Sequence, residues 1–203
     1  MESILLPGRL WRESEFVFDP LSKRWITGAC GPNASAMAAS WADQRYHSTL
    51  EVYRRMRSAG RCAQSGAATL AALAEDASSA GYALDLLSYC EPMPEADWRH
   101  FVEPRVGRKA IVLEVASGQV LVDSVGGRGE NARDLRYHYL LIMGWHAGGH
   151  SPRLNRELSP GWWCSDGDNS AVGDVLQFYP DSLVSAARPC AAMAMSATDA
   201  SQW

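Results

Sequence analysis

The chain has no run approaching the ~18 apolar residues of a membrane-spanning helix. It has no signal-peptide character either, since Glu2 and Pro7-Gly8 interrupt the short Ile4-Leu5-Leu6 run. These absences predict a cytoplasmic location without a membrane span, with non-classical export or release by lysis as the alternative. A basic stripe is missing too. The formal net charge is −4 and the Lys and Arg residues are scattered, which excludes the electrostatic footprint of a nucleic-acid binder. The nearest basic group, Arg54, Arg55, Arg57 and Arg61, has helical spacing and reads as a solvated helix face. No Cys-x-x-Cys occurs, which excludes a zinc ribbon and a thioredoxin-type redox pair. His146 and His150 are four apart, but Ala147-Gly148-Gly149 between them breaks the rigid helix that a metal pair needs. No metal or other cofactor is expected.

What remains is the balance of an ordinary soluble domain: 203 residues, 47% hydrophobic and 21% charged. That length supports one well-buried domain and is short for two. The five cysteines, Cys30, Cys62, Cys90, Cys164 and Cys190, are odd in number, so at least one cannot pair within the chain. Reduced thiols are the default without a signal peptide. One of them is then free to react.

Residues 1–24 read as an irregular N-terminal extension, broken by Pro7-Gly8 and Asp19-Pro20. Residues 25–190 read as the domain, and residues 191–203, where Ala, Ser, Thr and Asp crowd together, as a flexible tail. Gly28-Ala29-Cys30-Gly31-Pro32-Asn33 leads into the alanine-rich ASAMAASWADQ, a loop entering a helix at about residue 31. Ser48-Thr49-Leu50-Glu51 has the form of a capping box. Leu50, Tyr53 and Met56 make a stripe behind it, and Gly60 ends that helix. A third helix is expected over 65–80, with Gly81 as its stop.

Beyond residue 81 the period changes. Strands are expected at 82–89, 109–116, 119–124, 137–145, 161–166 and 174–180, with 109–116 and 119–124 joined as a hairpin across Ser117-Gly118. A short helix is expected over 95–103 and a last one in DSLVSAARP. Helices first and an antiparallel sheet afterwards is an α+β arrangement. It predicts two layers on one core, with the Cys30 helix lying across the sheet.

Cysteine attacks as the thiolate, and both a helix N-terminus and a neighbouring imidazolium favour that form. Cys30 stands where the first applies, because Gly31-Pro32 opens a helix immediately behind it. The first-turn N–H groups, Gly31's included, are also placed to hold an oxyanion. The plainer reading of Cys30 is a buried structural thiol. His138 begins an alternating run that puts it with Leu140, Ile142 and Gly144 on one face. It reads as a base at the rim of the sheet or as a satisfied half-buried histidine. Asp166 ends the strand GWWCSD and reads as the carboxylate that fixes the imidazole, or as a turn former before Gly167; Asp168 is its rival and Asn169 a weaker one.

With these residues in place, the sequence resembles the papain-like cysteine peptidases, particularly the double-glycine leader (bacteriocin-processing) peptidases and their stand-alone relatives. ACGPNASAMAASW is similar to that family's nucleophile motif, YHYLLIMGW to its catalytic-histidine strand, and DVLQFYPDSLVSAA to its closing strand and helix. GAATLAALAEDASSAGYALDLL and RVGRKAIVLEV are similar to the segments between them, so that the likeness covers residues ~25–188. It implies a papain-like fold, with the nucleophile helix packed on an antiparallel sheet. It also implies a peptidase acting on a peptide or protein substrate, with Cys30 as nucleophile, His138 as general base and acid, and Asp166 as orienting group.

Three departures stand against it. The glutamine that the family carries about six residues before the cysteine is Arg24 here. Losing such an oxyanion donor costs on the order of a hundredfold in rate, with Arg24, Thr27 or Gln64 as substitutes. The acid is followed by Gly167 in place of the usual proline, and no transporter domain accompanies the segment, which predicts a stand-alone enzyme. The alternatives are a deamidase, transglutaminase or acyltransferase acting on a partner protein, and an inactive papain-like binding module. Of the eight tryptophans, Trp11, Trp25, Trp145, Trp162 and Trp163 either line a peptide groove or pack the core.

Overall fold

The computed structural model of the chain describes residues 3–7, 16–88, 93–118, 120–121, 137–166 and 176–197. The first long element is α1 (Cys30–Asp43), whose alanines are the best helix formers and leave a thin rod. Gly31 to Ala42 are all buried, so α1 is covered on every side and not laid on a surface. Its polar residues are satisfied inside: Asn33 Nδ2 donates to Thr49 Oγ1 at 3.0 Å, and Ser40 Oγ to the Ala36 carbonyl at 2.8 Å.

Helix α2 (Thr49–Ser58) opens on the expected capping box, with both Ser48–Glu51 hydrogen bonds formed. Its buried residues are Thr49, Val52, Tyr53 and Met56, with Leu50 only partly covered. Helix α3 (Leu70–Ser79) begins five residues later than expected, because the Thr69 hydroxyl caps it by accepting from the Ala72 N–H. Arg55 of α2 holds the fully buried Asp76 of α3 through Nε and Nη2. That bidentate pair locks the two helices side by side.

The main sheet runs in the order β10 (Gln177–Pro180), β9 (Gly161–Ser165), β6 (His138–His146), β5 (Ala110–Val115), β11 (Pro189–Ala197), β4 (Tyr82–Ser88), with each of these neighbours antiparallel. Helix α1 crosses β5, β6 and β11. On the opposite face lie α4 (Glu95–Val102) and α5 (Asp181–Ala186). Two apolar clusters result, one on each face: Val112, Tyr139, Leu141 and Met143 face α1 to α3, while Leu113, Leu140 and Ile142 face Trp98 and Val184. The chain is therefore an α+β fold of three layers, where two were expected. The physical cause is the largely apolar runs of β5 and β6, interrupted at Glu114 in β5, which must be buried on both faces.

Three further expectations are corrected. Residues 191–197 do not belong to a flexible tail; they form most of β11, which lies inside the sheet between β5 and β4. Ala192 and Ala194 fill one crowded face and Met193 and Met195 the other. The expected hairpin of 109–116 with 119–124 is absent where it can be seen, because β5 already has β6 and β11 on its two edges. Val120 and Leu121 are helical instead, donating to the Ser117 and Gly118 carbonyls; residue 119 and residues 122–124 lie outside the described residues. Finally, the N-terminal extension is not wholly irregular. Strand β1 (Ile4–Leu5) pairs with the far end of β6, and β2 (Val17–Asp19) pairs with β3 (Arg24–Ile26). Outside the sheet, β7 (Gly149–Ser151) and β8 (Arg156–Leu158) form a separate hairpin. Among the described residues no helix is long and apolar enough to cross a membrane.

Candidate active site

Cys30 is the first residue of α1. The first helical hydrogen bond runs from the Asn33 N–H to the Ala29 carbonyl, which leaves the Cys30 and Gly31 N–H groups outside the helical ladder; Pro32 has none. No acidic residue stands in the first turn to oppose a negative charge there. The approach to Cys30 is fixed from the side: the Gly28 N–H donates to the Ser65 carbonyl at 2.9 Å. Gly66 (φ +96°) packs so tightly that a Cβ on it would lie 2.9 Å from Ala29 Cα. Among the described cysteines Cys30 alone is partly exposed, while Cys62, Cys164 and Cys190 are buried and free. Burial pushes the thiols of all three up, that of Cys190 to about 12. Cys90 lies outside the described residues.

His138 opens β6 and has no solvent-exposed side chain. Its Nε2 lies 2.8 Å from Asp166 Oδ1. Burial on its own disfavours the imidazolium, but the Asp166 charge and hydrogen bond, together with the Cys30 thiol, overcome it and lift the pKa well above the ordinary 6.5. With Nε2 engaged, Nδ1 is the nitrogen left to face the thiol. It is buried and makes no hydrogen bond of standard geometry. The thiol thus acts on the ring without a fully aligned bond, as is common in catalytic pairs before substrate arrives.

Asp166 follows β9 and is almost fully buried, with 5% of its surface exposed. Its second oxygen, Oδ2, accepts from the Tyr179 hydroxyl at 2.8 Å, and that hydroxyl also lies 2.8 Å from Gln177 Oε1. One hydroxyl proton therefore serves two acceptors. Tyr179 was not singled out in the sequence. The pairing of β10 with β9, seen only in the structure, puts Tyr179 on the face shared by Trp162, Cys164 and Asp166. Asp166 is the carboxylate that reaches His138. Asp168 and Asn169 lie outside the described residues.

The oxyanion candidates separate into two groups. Gly31 is buried in the first turn of α1, where a Cβ would meet Leu73 and Tyr139 at 3.3 Å. Arg24, Thr27 and Gln64 instead line one cavity of about 850 Å³, shared with Trp25, Arg54 and Arg57. Trp25 is 65% exposed there, whereas Trp145, Trp162 and Trp163 are buried in the core; Trp11 lies outside the described residues. The arrangement as a whole brings a thiol, an imidazole inclined to hold a proton and a sealed carboxylate to one end of the sheet. That set can support nucleophilic attack with proton return. Compared with known proteins, the chain matches no protein-family model and no curated protein.

Proposed function

We propose that this chain is a papain-like cysteine peptidase that cleaves a peptide or protein amide bond through a thioester. Cys30 Sγ attacks the carbonyl carbon, and the Cys30 and Gly31 N–H groups receive the developing oxyanion. His138 gives its proton to the leaving amine, then takes one from the water that releases the acid and restores the thiol. Asp166 keeps the imidazole oriented and its charged form favoured. The observation that carries this reading is the buried His138–Asp166 pair at 2.8 Å, with the Cys30 thiol among the groups that raise the imidazole's pKa. A satisfied core histidine needs no thiol beside it, and the three other described cysteines are buried with their thiols held protonated.

The test is alkylation with iodoacetamide across about pH 4 to 10, with labelled cysteines mapped by mass spectrometry. Cys30 is expected to label fast at pH 6 while Cys62, Cys164 and Cys190 label slowly. His138→Ala is expected to remove that advantage. Equal Cys30 rates in the two proteins would overturn the thiol–imidazole pair. A peptide library then reports new N-termini that appear with the native chain and vanish with Cys30→Ala.

A further inference from the structure

Glu114 lies beside the triad, and peptide hydrolysis as described gives it no task. It sits on β5 directly opposite Tyr139 of β6, one step along the ladder from the Val115–His138 pair. A cavity of about 630 Å³ opens over it, walled by the turn after α2, the segment entering α3 and Tyr137, the residue before His138. A half-buried carboxylate in a strand is a poor choice for packing unless a partner meets it. Desolvation raises its pKa, and the Tyr139 hydroxyl opposes it. That hydroxyl has one hydrogen, and it donates to the Ala68 carbonyl at 2.9 Å, so the carboxylate has at most a share of it.

The cation described on the cavity wall is engaged elsewhere. Arg61, on the same cavity wall, donates to Glu75 and Ser79, and its other terminal nitrogen lies 3.8 Å from Asp76. Among the described residues no cation forms an ion pair with Glu114. The 850 Å³ cavity next to the segment before Cys30 has the opposite balance: it is lined by Arg24, Arg54 and Arg57, with Asp19 as its acid, already held by Arg54. Of these two cavities, the one over Glu114 is suited to a positive group.

We infer that Glu114 is a specificity-determining residue, and that its cavity takes a lysine or arginine side chain of the peptide, whose ammonium or guanidinium supplies the carboxylate with the cation it lacks among the described residues. Naming that peptide a substrate rests on the peptidase reading; the charge selection rests on the cavity alone. The length suits the chemistry, because a long apolar stem fits the alanine-lined wall at 63, 67 and 68 while its charged tip reaches Glu114.

Binding is measured by calorimetry on the Cys30→Ala chain, so that turnover plays no part. The probes are acetylated tetrapeptide amides carrying lysine, norleucine or glutamate, with that residue moved through each position. At one position lysine is expected to bind about ten- to hundredfold tighter than norleucine, the range for a hydrogen bond to a charged partner. In Cys30→Ala/Glu114→Gln the ratio should fall to within about twofold, and Glu114→Asp should keep part of it. Equal binding of lysine and norleucine at every position, or a lysine preference that survives Glu114→Gln, overturns the inference. The native chain then separates the two readings. Glu114-dependent binding without cleavage of the bound peptide sinks the peptidase and leaves the charge selection standing. Cleavage that ignores the charge of the side chain does the reverse.

Discussion

Sealing an imidazole from water normally drives its proton off. In His138 the opposite holds, because the Asp166 carboxylate is sealed beside it and favours the charged ring. The Tyr179 hydroxyl is the third member of this chain, stabilising the carboxylate that stabilises the imidazolium. Tyr179→Phe keeps the ring in the apolar cluster and removes that one donor. It is expected to destabilise the fold by about 1–2 kcal/mol in urea unfolding. The pH at which His138 releases its proton, followed by NMR of the labelled imidazole, should fall by about one unit. A merely structural tyrosine would lower stability and leave that titration where it was. Cys30, His138 and Asp166 were legible in the sequence because each sits next to a residue with a plain local meaning: Gly31-Pro32 starts a helix, alternation starts at His138, and Gly167 follows a strand. Tyr179 and Glu114 were not. Each matters only through a neighbour on an adjacent strand, and strand register is not written in either segment alone.

The elements that present the nucleophile depend on close backbone approach more than on side-chain bonds. The turn at 63–67 leans on the residue before Cys30 through Gly66, where any Cβ would meet Ala29 Cα and Ile26 Cγ2 at 2.9 Å. Its φ of +96° is also one that L side chains rarely adopt. Gly66→Ala should therefore cost about 2–4 kcal/mol, from strain and overpacking together, and slow Cys30 alkylation at pH 6 by at least about tenfold as the helix start shifts. Gly60→Ala is the control: its φ is +72° but nothing lies within 4 Å. It should lose stability without slowing the alkylation. If both variants label at the native rate, the 63–67 turn does not position the thiol. Local signals served well for such elements where they stop or start a helix, as Ser48, Glu51 and Gly81 do. They failed for β11. Its alanines and serine read as tail-like, and only the two crowded faces that it must fit between make a strand of small residues the stable choice.

For the molecule as a whole, the order of helices then strands was enough to reach an α+β fold, but not its third layer. Whether an apolar run is covered once or twice depends on segments far away in sequence, here α4 and α5. The same global packing sets how stability responds to pH. Ser22 and Arg54 hold the Asp19 carboxyl down at about 2 from its usual 3.8, and Lys109 and Arg105 lower Asp85. Lowered carboxyls stabilise the fold above their unfolded value and lose that contribution as pH falls toward the folded one. His138 runs the other way, being raised above 6.5. The folded chain keeps a proton that the unfolded chain sheds, so its contribution is complete below about pH 6.5 and is lost as pH rises through the folded value. Unfolding free energy in urea should therefore be highest between about pH 4 and 6.5 and decline on both sides. Asp166→Asn removes the charge that holds the proton and leaves burial in control, which pushes His138 below 6.5. In that variant the alkaline decline attributable to His138 should disappear, replaced by a loss of stability as pH falls through 6.5. Parallel curves for the two proteins from pH 5 to 9 would show that the buried pair does not hold its proton in the folded state, and the thiol–imidazole reading would fall with it.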